Sequence, residues 1–334
     1  MVELKGRDLI TTQEWSKEEI IETIEHAKEM KKKYKEGDLD KPLSGKTFFM
    51  LFYNPSTRTR ASFEAAMTVL GGHAPFVDVS TTRVGEGEDP KDMARVYDRY
   101  GHGLGIRVLE DAVDYIYGGG NDYVRKYAAN SGIPVINMAD DKYHPCQGLA
   151  DLLTVQELVR DYEEKEYVIS WAYSDKNRSW CSVQEEALIM SRFGMDVTIA
   201  APEEFELDPE VIGDCRKNSK ENDGEFKISH DMEEALKDAH VVFPRSWISH
   251  ECMMEGLEEF GEEKELKLHN KYRDWKLTRD RMNLMAEDAI MTHVMPVFRG
   301  QEADDGVVDS SRSVIYHQAE NRLHAQMALL DLTL

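Results

Sequence analysis

Apolar and polar residues alternate along this chain with two distinct periods. Ile20, Ile21, Ile24, Ala27 and Met30 recur at helical spacing behind Ser16-Lys-Glu-Glu19, a capping-box pattern, and Gly37 closes the charged tail. A first helix is therefore expected between Ser16 and Gly37. Beyond it, short β-rich apolar runs alternate with helical patterns. Residues 46–53, 74–80, 104–108 and 133–138 read as strands. Helices are expected over 57–70, 90–100 (with Pro90 at the first helical position), 122–130 and, as a long bridge, 145–163. The second half repeats the pattern. Strands are expected at 167–173, 196–201, 226–229, 241–244 and 289–293, and helices at 183–193, 209–222, 232–239, 278–285 and 318–330. Alternation of this kind predicts an α/β fold of two parallel-sheet domains joined by long helices. The expected division is 1–150 plus 318–334 against 151–317, with the last helix packing back on the first domain.

Composition narrows the function classes. The chain has 334 residues, about two domains' worth at ~150 residues each. It carries 41 basic and 64 acidic side chains, a net charge of −23, which disfavours nucleic acid and anionic membrane surfaces as partners. An anionic small molecule needs only a local basic pocket and stays open. No apolar run approaches the ~20 residues that span a bilayer, and Met1-Val-Glu-Leu-Lys-Gly6 lacks a signal-peptide core, so a cytoplasmic location is expected. Cys146, Cys181, Cys215 and Cys252 form no CxxC, which argues for reduced thiols and against structural zinc. No histidine pair has metal-ligand spacing, and Gly118-Gly-Gly120 has neither GK[ST] nor the GxGxxG order, so no metal, nucleotide or other cofactor is expected.

Candidate chemistry concentrates where strands end. Ser56-Thr-Arg-Thr-Arg60 sets three hydroxyls and two guanidinium groups at a strand-to-helix junction, beside the free N–H groups of a helix start, a combination that favours a phosphate-like anion. Arg107 ends the next strand but one, and His144-Pro-Cys-Gln147 follows the strand after that. Loops at the carboxyl ends of parallel strands face a ligand crevice, so Arg107, His144 and Gln147 read as donors to a polarised carbonyl oxygen beside the anion. Cys146 has no base placed for it and reads as packing. His293-Val-Met-Pro296 and Glu320-Asn-Arg322 are weak signals taken singly.

Together these segments resemble the aspartate/ornithine carbamoyltransferases. Phe52-Tyr-Asn-Pro-Ser-Thr-Arg-Thr-Arg-Ala-Ser-Phe-Glu64 is similar to that family's FxxxSTRTRxSFE signature, and His144-Pro-Cys-Gln-Gly-Leu-Ala-Asp-Leu-Leu-Thr154 to its HPxQxLxDLLT motif. Gly87-Glu-Asp-Pro-Lys-Asp-Met-Ala-Arg-Val96 and Gln318-Ala-Glu-Asn-Arg-Leu-His324 match two further segments in the same order. The resemblance implies a homotrimer with sites shared between subunits, binding carbamoyl phosphate and then an amine. Carried over residue by residue, it implies that Ser56, Thr57, Arg58 and Thr59 hold the phosphate and that Arg60 is a structural partner. Arg107, His144 and Gln147 meet the carbamoyl group, with Thr59 helping to stabilise the oxyanion. Arg322 touches carbamoyl phosphate, and Arg83 reaches a neighbouring subunit's site. No cofactor or metal is implied.

The second substrate is less uniform. Where ornithine enzymes carry an acid for the α-ammonium, this chain has Arg245, followed by Ser246 and Trp247, and the usual HCLP loop reads His293, Val294, Met295, Pro296. The Ser-Trp pair is similar to the knotted branch, which holds N-acetyl- and N-succinyl-ornithine carbamoyltransferases and relatives of unassigned substrate. That likeness implies a deep trefoil knot in the second domain, and places Arg245 and Asp140 as second-substrate contacts. The leading expectation is carbamoyl transfer to an ornithine-like amine, N-acylated at its α-nitrogen. Plain ornithine, catabolic phosphorolysis of a ureido compound, and a non-catalytic trimeric binding protein are the alternatives. Residues 251–274 match nothing in the pattern and are expected to form a lid over the amine pocket.

Overall fold

A computed structural model describes residues 3–334. It divides the chain into two compact units, Met1–Leu153 with Glu320–Leu334, and Thr154–Ala319. In chain order the first unit holds α1 (Lys17–Glu36), β1 (Phe48–Phe52), α2 (Thr57–Val69), β2 (Phe76–Asp78), α3 (Pro90–Tyr100), β3 (Gly103–Val108), α4 (Gly119–Ala128) and β4 (Val135–Asp140), and α5 (Pro145–Leu158) crosses its boundary. The expected caps form: Ser16 and Glu19 close a reciprocal capping box on α1, and Gly37 ends it at φ 73°. Asp89 caps α3, with Pro90 at its first turn.

The strands pair in parallel in the order β2-β1-β3-β4. The order reverses between β1 and β3, where Phe52 lies opposite Arg107. That reversal matters for function, because the loops leaving the two strands diverge there and open a crevice at their carboxyl ends. Leu51, Leu104, Ile106, Val108, Val124, Tyr127 and Val135 share the buried core beneath it. At the start of α4, a Cβ on Gly120 would lie 2.5 Å from the Val108 carbonyl and 2.9 Å from Asp141 Oδ1, so only glycine lets α4 seat against the end of β3.

The second unit continues with β5 (Glu166–Trp171), α6 (Cys181–Arg192), β6 (Asp196–Ala200), α7 (Pro209–Glu221), β7 (Phe226–Ser229), α8 (Met232–Leu236) and β8 (Val241–Arg245). Then come α9 (His250–Glu255), α10 (Leu257–Phe260), α11 (Glu262–Lys271), α12 (Arg279–Met282), β9 (Ile290–Met291), α13 (Asp305–Val308) and α14 (Ile315–Thr333), whose latter part belongs to the first unit. The parallel strand order is β7-β6-β5-β8-β9, with its reversal between β5 and β8, where Trp171 lies opposite Arg245. Each sheet therefore reverses beside one of the sequence motifs singled out above.

Most limits fall within a few residues of expectation, and two segments differ more. Helix α5 ends at Leu158 rather than at 163, because Asp161 turns into the left-handed region at φ 49° and a 3-10 turn follows at Tyr162–Glu164. The segment 251–274 is mostly helical, as α10, α11 and the end of α9, a pattern that its dense charge conceals. Among the described residues no helix is long and apolar enough to cross a membrane.

Candidate active site

In the first unit the anion-favouring motif lies where expected. Ser56 caps α2 and its Oγ accepts the Thr59 N–H at 3.4 Å, while the helix itself offers no internal acceptor to the N–H groups of Thr57 and Arg58. Arg60 turns away: its Nε donates to Glu64 one helical turn on at 2.9 Å, and its guanidinium lies 3.9 Å over the Phe76 ring. A structural role for Arg60 fits both contacts.

Arg322 ties the motifs together from α14. Its Nη1 donates to Gln147 Oε1 at 2.9 Å and its Nη2 to Thr59 Oγ1 at 3.2 Å. Gln147 in turn donates through Nε2 to the buried Asp151 at 2.7 Å, one helical turn along α5. Thr59, Gln147 and Arg322 thus form one buried chain of polar contacts drawn from three helices. Burial, joined by the nearby Arg107 and Arg58, brings the Arg322 guanidinium down to about 10, so it stays charged at neutral pH. Burial also pushes the His144 imidazole well below its usual range, and Arg322, Arg107 and Arg58 push the same way. His144 is therefore uncharged at neutral pH, in the field of three guanidinium groups, and its buried Nδ1 has no hydrogen-bond partner among the described residues. Three converging cations and a neutral imidazole suit an anion carrying a carbonyl group. Cys146 packs beneath, its Sγ 3.4 Å from the Asn137 carbonyl. Arg83, itself exposed, opens a 3-10 turn, Arg83–Glu86.

Asp140 lies deeper than its expected role requires. It is fully buried and accepts four N–H donors: Asn121 Nδ2 at 2.6 Å, Asn137 Nδ2 at 2.8 Å, Lys142 N at 2.7 Å and Tyr143 N at 2.6 Å. Burial and the adjacent Asp141 push its carboxyl up to about 8 against those donors. These contacts fold the turn that delivers His144. Asp141 is seated by N–H groups of Gly118 and Asn121, so the glycine run serves an intramolecular carboxylate rather than a nucleotide.

In the second unit, residues 245–249 leave the end of β8 as irregular backbone; several of their polar groups are held, while the buried Arg245 Nε and Ser246 Oγ have no hydrogen-bond partner among the described residues. Ala172 N donates to the Arg245 carbonyl at 2.9 Å, and Ile248 N donates to Arg178 O at 3.1 Å. The indole N–H of Trp171 caps Trp247 O at 2.9 Å, and that of Trp180 caps Ile248 O at 2.8 Å. Ser246 N donates to Glu302 at 2.9 Å, and Ser249 donates to Glu265 through both N and Oγ, at 2.7 and 2.6 Å. Trp247 itself is a core residue, fully buried, with its indole N–H on Phe205 O at 2.8 Å. His293 faces its own loop: Nδ1 accepts from Met295 N at 2.8 Å, leaving Nε2 toward Glu302 Oε2 at 3.2 Å. Val294 is buried, and Met295 takes φ 64°. Arg245 is nine-tenths buried; its Nη1 lies 3.5 Å from Glu302 and donates to Pro296 O at 3.4 Å.

Comparison with known proteins gives the family of both parts of the chain. Residues 7–157 match the family model "Aspartate/ornithine carbamoyltransferase, carbamoyl-P binding domain", and residues 169–333 match "Aspartate/ornithine carbamoyltransferase, Asp/Orn binding domain". The chain belongs to the aspartate/ornithine carbamoyltransferase family. This carbamoyltransferase is 37% identical to an ornithine carbamoyltransferase of Pyrococcus horikoshii over 339 residues, covering 100% of the chain and 98% of the relative. It superposes on the ornithine carbamoyltransferase structure from Pyrococcus furiosus with a TM-score of 0.87 at 35% identity, covering 100% and 98% of the two chains. An N-acetyl-L-ornithine transcarbamylase structure gives 0.86 at 29% identity, covering 98% and 100%. Similar backbones on the two branches mean that fold alone does not choose the amine.

Three residues outside the expected set hold candidate residues in place: Asp151 in the first unit, and Glu265 and Glu302 in the second. Only Asp151 stands inside a recognised motif. The two glutamates reach residues 16 and 56 positions away, a convergence that no local spacing encodes.

Proposed function

We propose that this carbamoyltransferase moves the carbamoyl group of carbamoyl phosphate to the side-chain amine of an ornithine-like amino acid whose α-nitrogen is acylated, releasing phosphate. What supports the first half is the buried Thr59–Arg322–Gln147 chain beside an uncharged His144 on which Arg322, Arg107 and Arg58 act electrostatically. Ser56, Thr57, Arg58 and Thr59 take the phosphate at the start of α2, with Arg322 held beside them by Gln147. The neutral amine attacks the carbonyl carbon. His144, Arg107 and Thr59 stabilise the oxyanion; as it collapses the C–O bond to phosphate breaks, and phosphate leaves toward Arg58 and the helix N-terminus, taking up the proton that the attacking nitrogen releases. Asp140 and Trp247 contribute as supports, one folding the turn before His144 and the other packing beneath the 245–249 loop.

The second half rests on Arg245. A guanidinium stands where a free α-ammonium would need an acid, and the nearest buried acid, Glu302, already receives four donors. An acyl oxygen is the better complement. Plain ornithine is the second reading: relatives at 37% identity bear that name, and the pairing of Arg245 with Glu302 lessens the repulsion an ammonium would meet. The active assembly we propose is a homotrimer, with the exposed Arg83 facing a neighbouring subunit.

A panel of amines at saturating carbamoyl phosphate tests the assignment. N-acetyl- and N-succinyl-ornithine, ornithine, lysine, putrescine and aspartate are compared by ureido product formed. Turnover of an acylated amine at least ~10-fold above ornithine, or about 1.4 kcal/mol of discrimination, is expected. Preference for free ornithine would replace the first reading by the second.

A further inference from the structure

We infer that Glu302 is a positioning residue that cancels the charge of Arg245 and so tunes the second-substrate loop to a neutral acyl oxygen rather than to a carboxylate or an ammonium. This rests on the assignment of Arg245 to the second-substrate site. The Glu302 side chain is completely buried, and its two oxygens are shared among four groups from two segments. Oε1 takes Ser246 N at 2.9 Å and faces Arg245 Nη1 at 3.5 Å. Oε2 takes Phe298 N at 2.8 Å and faces His293 Nε2 at 3.2 Å. One carboxylate therefore joins the loop after β8 to the loop after β9. Burial would raise such a carboxyl, yet His293, Arg245 and the Phe298 N–H hold it down to about 2, so it is ionised at neutral pH.

The guanidinium is not exhausted by this pairing. Its described contacts run through Nη1 alone, and its buried Nε has no hydrogen-bond partner among the described residues. Arg245 thus keeps donor capacity while Glu302 offsets its charge. A neutral carbonyl oxygen complements a donor of that kind. A carboxylate would gain little net attraction from the pair, and an ammonium would meet no acceptor on Arg245. Glu265 supplies an internal control. It holds the same loop at Ser249 and is equally buried, with His269 Nε2 at 3.0 Å, but it has no contact with Arg245 among the described residues.

The test compares Glu302→Gln, Glu265→Gln and the double variant Glu302→Gln/Arg245→Met with the wild type. kcat and KM are measured for N-acetyl-ornithine, N-succinyl-ornithine and ornithine, and Tm is recorded for each variant. Glu302→Gln leaves the guanidinium uncompensated. The succinyl-to-acetyl ratio of kcat/KM should rise about 10-fold. The rise should come through KM of the amine, with KM for carbamoyl phosphate within twofold (~) of wild type. Glu265→Gln should lower both acyl substrates together and leave the ratio unchanged. In the double variant the ratio should return toward wild type, whatever its Tm. An unchanged ratio in Glu302→Gln, or the same shift in Glu265→Gln, overturns the inference. If the wild type uses only free ornithine, the acylated reading falls by itself. The inference then stands or falls on whether Glu302→Gln raises KM for ornithine about 10-fold and Arg245→Met in that background restores it.

Discussion

Arg58→Ala is expected to lower kcat/KM for carbamoyl phosphate by about 10²–10³-fold without lowering Tm. Arg58 follows Thr57 at the first turn of α2, where helix N–H groups lack internal acceptors, and its charge is felt at both His144 and Arg322. In the absence of an anion these guanidinium groups repel one another. Removing one relieves that repulsion and offsets what the folded state loses with the side chain, while the bound phosphate loses a charge-assisted partner. Steady-state kinetics with carbamoyl phosphate varied, paired with a thermal melt, checks both halves. Near-normal activity would remove Arg58 from the phosphate site. A large fall in Tm would mean that its role is structural.

His144 carries the second large effect. His144→Asn is expected to reduce kcat by about 10²-fold, the cost of one donor to a developing oxyanion. A neutral imidazole is suited to that task, since it donates one N–H without giving up its proton to solvent chemistry. Its titration gives a separate check. Burial and then Arg322, Arg107 and Arg58 disfavour the imidazolium, so an NMR titration should show no protonation of His144 through its ordinary range near 6.5. Between that value and the lower native one, the unfolded chain binds a proton that the native chain refuses. The contribution of His144 to stability is therefore full above about 6.5 and is lost as pH falls below it. A bound phosphate offsets the guanidinium field, and should move the His144 titration upward. A ring that titrates normally, with no response to phosphate, would place it outside the anion's field.

Much of the fold is legible in the residue pattern because its signals are local. The Ser16-to-Glu19 capping box, Asp89 before Pro90, and the apolar runs of β1, β3 and β4 each lie within a few residues of the structure they specify. The anion cluster is legible for the same reason: in a parallel sheet, strand ends and helix starts share one edge, so Ser56, Arg107 and His144 can be placed from their positions alone. Other features depend on distant partners. Asp140 has the place of a substrate contact in sequence, but only the fold shows Asn121 and Asn137 closing over it. Trp247 likewise stands in a motif, while the acceptor for its buried indole N–H, the Phe205 carbonyl, lies 42 residues earlier. Segment 251–274 reads as a charged stretch, and its helical brace becomes visible only when Glu265 meets Ser249 and His269 meets the Ser174 carbonyl. Those contacts give the segment the character of a fixed support rather than that of a lid.

The most direct measurement follows carbamoyl phosphate labelled with ¹³C at its carbonyl carbon, incubated with the protein and the amine panel. Carbon and phosphorus NMR are recorded together. Carbamoyl transfer predicts that the label appears in a ureido carbon, with one phosphate released for each ureido group formed, and that Arg58→Ala and His144→Asn slow both signals in parallel. Phosphate released only at the spontaneous rate, with no label in any ureido product, would contradict the account.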